Sequence, residues 1–193
     1  MESGPRVVVA EDESIIRMDL VETLRELGCD VVGEAGDGET ALALIRGLLP
    51  DVALLDIQMP GLDGLGVARQ VFDEALCAVV MVTAFSQQAL VARAAEAGAA
   101  GYLVKPIKPV ELMPAIAVAR AGFERARGMR QEIDSLEDRL ATRKAVERAK
   151  SVLQQRLSLD EAAAFRWLQK AAMDRRMSMR DVAEQVLSST ADK

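Results

Sequence analysis

A doubly wound α/β fold on a five-stranded parallel sheet, followed by an all-helical tail, is the architecture this sequence predicts. Three observations point to it. Five short apolar runs, RVVVA, VVGEA, DVALLD, AVVMV and GYLVK, are rich in Val and Leu and lack clean polar alternation, as strands buried on both faces do. Helix-period segments lie between them, at roughly 13–27, 38–48, 64–75, 87–97 and from 109 onward, so strand and helix alternate five times. From there to residue 188 the pattern reads as helix alone.

Local signals mark the boundaries in order. Asp37 and Ser86 are candidate N-caps, and Gly28 and Gly98 follow helix ends. Pro114 is expected to kink or delay the fifth helix, because a proline past the first turn removes a backbone donor. Further on, Ala119, Ala126, Met129, Ile133, Leu136 and Leu140 fall largely in three- and four-residue steps among Arg, Glu and Asp. This reads as a coiled-coil seam between two copies, or as a linker helix packed on its own domain. Residues 141–188 read as three short helices, the first near 143–157. SLDE at 158–161 matches a capping box, and SMRD at 178–181 is its aspartate analogue.

Composition narrows the function classes. Two cysteines without a CxxC pairing suggest buried, reduced thiols. There is no histidine, which excludes a His-based triad, a histidine metal cluster and an internal phosphohistidine donor. No stretch suits a membrane span and the N-terminus lacks a signal pattern, so a cytoplasmic protein with no membrane partner is expected. Residues 1–140 carry 13 Lys+Arg against 23 Asp+Glu, whereas residues 141–193 carry 11 against 7. Any polyanion is therefore expected to bind at the C-terminal end.

In open α/β sheets, ligands gather at the carboxyl ends of the strands. Glu11 and Asp12 end the first run, Asp56 the third, Thr83 the fourth and Lys105 the fifth, so these side chains should meet on one rim. Three carboxylates placed together call for a cation, and hard oxygen ligands favour Mg²⁺. Asp56 is then an acceptor beside a metal, with Lys105 neutralising an incoming phosphoryl group and the Thr83 hydroxyl bonding to it.

Through VVVAEDE, LLDIQMPGLDG, VTAF and GYLVKP, about residues 5–122 closely resemble the receiver domain of bacterial response regulators, which have a flavodoxin-like (βα)5 fold. The resemblance implies that Glu11, Asp12, Asp56 and the backbone carbonyl of Gln58 hold Mg²⁺ and that Asp56 becomes an aspartyl phosphate. It also implies that Thr83 and Lys105 move toward the phosphate, that Tyr102 swings inward as a switch, and that Lys105-Pro106 is cis. Such a domain catalyses only its own phosphorylation and dephosphorylation, with a sensor histidine kinase as donor. A magnesium-dependent aspartyl phosphatase would want a second acid two residues after the nucleophile, where this chain has Gln58.

In the tail, Ala145, Val146, Ala149, Val152 and Leu153 share one helix face, opposite Lys144, Arg148, Ser151 and Gln155. In the next helix Ala164, Phe165, Trp167, Leu168, Ala171 and Ala172 form the expected core side, leaving Arg166 and Lys170 outward and Arg175 and Arg176 beyond the end. Through AVERAKSVL, SLDEAAAFRWLQKAAMDRR and MRDVAEQVL, residues 141–188 resemble the ANTAR family of three-helix RNA-binding antiterminator domains, although Ser151 and Gln154-Gln155 stand where many relatives carry Gly and Met. This implies binding of RNA stem-loops, with Lys144, Arg148, Lys150, Arg166, Lys170, Arg175 and Arg176 as candidate phosphate contacts. The expected organisation is a receiver at 5–122, a helical linker or coiled coil at 119–140 and an RNA-binding domain at 141–188, with a homodimer as a further partner and phosphorylation as its candidate trigger. Two alternatives stay open: a DNA-binding regulator, whose recognition helix at 178–188 would carry only Arg180 as a cation, and a relay or protein-interaction module.

Overall fold

The computed structural model describes residues 4–84 and 88–189. Ser86, expected as an N-cap, lies outside the described residues. The chain divides into two compact units, Met1–Gly128 and Met129–Lys193.

The first unit alternates β1 (Arg6–Ala10), α1 (Ser14–Glu26), β2 (Asp30–Ala35), α2 (Gly38–Leu48), β3 (Val52–Asp56), α3 (Gly64–Asp73), β4 (Ala78–Thr83), α4 (Gln88–Glu96) and β5 (Gly101–Val104), then enters α5 (Pro109–Leu157). All strand pairs are parallel and their order is β2-β1-β3-β4-β5. The order reverses between β1 and β3, which opens a crevice beyond their carboxyl ends.

Both sheet faces are covered, which explains the absence of polar alternation. Val8, Ala10, Ala53, Leu55, Val79 and Met81 pack on one face with Ala41, Ile45 and Val67 of α2 and α3. Val7, Val9, Leu54, Val80 and Val82 pack on the other, with Leu24 of α1 and Leu112, Ile116 and Ala119 of α5. Asp37 caps α2, its side chain accepting from the Thr40 amide at 2.8 Å. Gly28 and Gly98 follow α1 and α4 with φ of 84° and 86°, in the left-handed region open to glycine.

Pro114 does not delay the fifth helix. Helix α5 starts at Pro109 and runs for 49 residues with Pro114 inside it. Pro114 has no N–H to offer the carbonyl of Val110, and Val110 is 75% exposed, which leaves water to serve that carbonyl. The same helix absorbs the segment 143–157 that the sequence suggested as a short helix of its own.

In the second unit the end of α5 packs with α6 (Glu161–Arg175) and α7 (Met179–Ser188) around Val146, Ala149, Leu153, Ala164, Leu168, Val182 and Ala183. Ser178 and Asp181 form the expected reciprocal capping box. The other cap is displaced by two residues from the predicted SLDE box. Asp160, not Ser158, caps α6 by accepting from the Ala163 amide at 2.6 Å, and Glu161 turns to another partner.

Candidate functional site

Strand register brings the rim together. Ala10 is level with Leu55, Asp56 with Val82, and Thr83 with Val104, so Glu11, Asp56, Thr83 and Lys105 reach the same edge within about one residue. The oxygens of Glu11, Asp12 and Asp56 lie within 4.8 Å of one another. Lys105 Nζ stands 2.6 Å from Glu11 Oε2 and donates to Asp56 Oδ2 at 2.8 Å. Glu11, Asp56 and Thr83 are buried, Asp12 and Gln58 are exposed, and Tyr102 is half-buried against the core. The Gln58 amide donates to Asp56 Oδ1 at 3.3 Å. The Lys105-Pro106 peptide is cis. All the residues singled out on this rim are therefore gathered, with Asp12, Gln58, Lys105 and Pro106 around an open depression beside α1.

Charge is unbalanced in this cluster. Three carboxylates face one ammonium, a deficit that suits a divalent cation. Burial raises the Glu11 carboxyl above its ordinary range, and the nearby Asp56 charge adds to this against the Lys105 bonds. For Lys105, burial pulls downward, but bonds and charges from Asp56 and Glu11 outweigh it and hold the ammonium above its ordinary value. Glu11 Oε2, although close to Nζ, is the one buried side-chain polar atom among the described residues with no hydrogen bond of good geometry. An all-oxygen donor set with surplus negative charge fits Mg²⁺ well.

Two supporting residues escaped the sequence reading. A Cβ at Gly64 would lie 1.8 Å from the Asp56 carbonyl oxygen, so only glycine lets α3 begin this close to the end of β3. Its amide donates to the Ile57 carbonyl at 3.0 Å, closing the loop. Arg17 of α1 donates a short hydrogen bond to the Glu11 backbone carbonyl and so anchors the acidic pair from below. The LDG motif marks the first only as a turn, and nothing local marks the second.

In the second unit the expected cations divide into two sets. Lys144, Arg148, Arg166, Lys170 and Arg176 are exposed and enter no ion pair among the described residues. Lys150, expected as an RNA contact, differs from these: it is 7% exposed, and its Nζ lies 2.9 Å from Glu147 and 2.8 Å from Glu161. Bonds from Glu161 and Glu147 hold its ammonium above its ordinary value, so Lys150 pins α5 to the start of α6. Arg175 belongs to the last turn of α6, not beyond it, and donates to Gln185 of α7 at 2.9 Å. Phe165 and Trp167, expected in the core, are 41% and 38% exposed; Ala164, Leu168 and Ala172 fill it instead, because small residues let the three helices approach closely. Arg180 pairs with Glu184 and Asp138, which leaves α7 poorly furnished as a groove-reading helix.

Comparison with known proteins bears on both units. The model of the response regulator receiver domain matches residues 7–117, and that of the ANTAR domain matches 134–187. The transcriptional regulatory protein PdtaR of Mycobacterium tuberculosis is 48% identical over 184 residues, covering 95% of this chain and 90% of that protein. The chemotaxis protein CheY of Thermotoga maritima is 32% identical over 114 residues, covering 58% of this chain and 95% of that one. Among solved structures, the receiver domain of the response regulator NarL from Mycobacterium tuberculosis superposes with a TM-score of 0.60 at 41% identity, covering 62% of this chain and 98% of that one. No helix among the described residues is long and apolar enough to cross a membrane. With its own fold and rim in agreement, this chain belongs to the response regulator family, joining a receiver domain to an ANTAR domain.

Proposed function

We propose that this protein is a phosphorylation-responsive regulator that binds RNA stem-loops and promotes transcription antitermination. The observation that carries the reading is the convergence of Glu11, Asp12, Asp56 and Lys105 on one end of a chain whose other end exposes Lys144, Arg148, Arg166 and Lys170. In this reading, residues 5–122 receive the phosphoryl group, 119–140 link or pair, and 141–188 bind RNA.

The Asp56 carboxylate attacks phosphorus, the bond to the donor breaks, and the aspartyl phosphate forms. This chain has no histidine, so the phosphoryl group comes from another molecule, and the receiver domain implies a sensor histidine kinase as donor. Lys105, already 2.8 Å from Asp56, meets the charge that spreads over the transferring oxygens. Thr83 bonds to the phosphoryl group, and Tyr102 responds at the edge of the sheet. Glu11, Asp12, Asp56 and the Gln58 carbonyl would hold Mg²⁺, which supplies charge neutralisation when bound. The protein acts on itself in this step and turns over no external substrate.

RNA backbones are expected to meet the exposed cations, and pairing of two chains would raise the effective concentration of the second domain on a two-loop target. Acetyl phosphate with Mg²⁺ should label the native protein and leave Asp56→Asn unlabelled; full labelling of the variant rejects the acceptor. Crosslinking the phosphorylated protein in cells and sequencing the attached nucleic acid should recover RNA hairpins, whereas recovery of duplex DNA or of neither overturns the RNA reading.

A further inference from the structure

Helix α5 carries an apolar stripe of Met129, Ile133, Leu136 and Leu140, each 52–59% exposed. Their steps of four, three and four residues are those of a coiled-coil seam, with Ile133 and Leu140 at a and Met129 and Leu136 at d. The seam alone does not say how two copies would lie, since apolar layers form in either direction. The flanking charges do. Arg130, Glu137 and Lys144 then occupy e, and Glu132 and Arg139 occupy g, all of them exposed.

In a parallel pair each g residue meets the e residue five positions further along the other chain. Glu132 would face Glu137, and Arg139 would face Lys144, so both contacts are repulsive on both sides of the seam. In an antiparallel pair g meets g and e meets e. With Ile133 opposite Leu136 and Met129 opposite Leu140 of the second copy, Glu132 faces Arg139 and Arg130 faces Glu137. Every one of those contacts joins opposite charges, and the twofold axis doubles each.

We propose that residues 129–140 pair with the same segment of a second copy in antiparallel orientation, selected by the charges at Arg130, Glu132, Glu137 and Arg139. This rests on the homodimer reading and adds its direction. The two output units of a dimer would then emerge from opposite ends of the paired segment.

Disulfide trapping in the full chain distinguishes the two directions, because Cys29 and Cys77 are both buried. Residues 129 and 140 lie about 16 Å apart along a helix, too far for a disulfide, which needs Cα atoms within about 7 Å. Met129→Cys and Leu140→Cys chains, mixed under oxidation with and without acetyl phosphate and Mg²⁺, should give the crosslinked heterodimer, while neither variant alone crosslinks. Self-crosslinking of each variant means parallel pairing and overturns the proposal. A dimer by light scattering with no crosslink overturns it while sparing the homodimer. A monomer under all conditions removes both. As an independent readout, Glu137→Arg should weaken the dimer by about tenfold, and adding Arg130→Glu should restore it. A parallel pair predicts the opposite for the single variant, because the new guanidinium would face Glu132 and tighten the dimer.

Discussion

Lys105 and Lys150 are the same chemical group in nearly the same local geometry, each an ammonium held by two carboxylates at 2.6–2.9 Å. Their surroundings differ. The acids around Lys105 are 1% and 8% exposed in their side chains, and a third acid, Asp12, shares the site. Those around Lys150 are 58% and 74% exposed, so water already solvates them. A buried excess of negative charge is poorly screened and invites a cation; a lysine with solvated acids ties two helices. Net charge and the burial of the partners, not the burial of the lysine, distinguish the two clusters.

The contrast can be broken at several points. The largest expected effect is on metal response: Mg²⁺ should raise the Tm of the first unit, by about 2.7 kcal/mol of stability at a hundred times Kd, and Asp56→Asn should remove most of that shift. An equal shift in the variant would mean that the cation sits elsewhere. Next, the two kinds of cation in the second unit should separate cleanly. Arg148→Ala should weaken stem-loop binding and flatten the salt dependence by about one phosphate contact, with Tm little changed. Lys150→Met should lower the Tm of that unit and leave the salt slope as it is. Reversed results would restore Lys150 to the RNA surface. The smallest effect concerns acid. Bonds from Lys150 hold the Glu161 carboxyl below its ordinary range, so this pair stabilises the fold at neutral pH and loses its contribution as pH falls through the lowered value. An acid titration followed by circular dichroism should show this loss in the native chain and a shallower one in Glu161→Gln.

Much of the rim was legible because it depends on strand ends. An apolar run that stops on a polar residue states where the chain leaves the sheet, and Glu11, Asp56, Thr83 and Lys105 all obey that rule. Arg17 does not, since its role depends on how α1 sits against a backbone carbonyl six residues earlier. The helical unit was less legible. A helix face is a continuous angle, so the border between core and surface depends on how closely the neighbouring helices approach, and Phe165, Trp167 and Lys150 all fall at that border. The expected delay at Pro114 failed for a similar reason: the cost of its missing donor depends on whether the orphaned carbonyl meets water.

What the sequence by itself determined is the order of strands and helices, the gathering of acids at one sheet edge and the separation of an acidic body from a basic tail. These follow from chain-local periodicity and from the topology of βα repeats. Only the tertiary structure decided which lysine faces buried acids, where α6 is capped, and that one unbroken helix runs from Pro109 to Leu157. Such outcomes depend on distances between residues far apart in sequence, set by packing and by access to water, and no pattern along the chain encodes them.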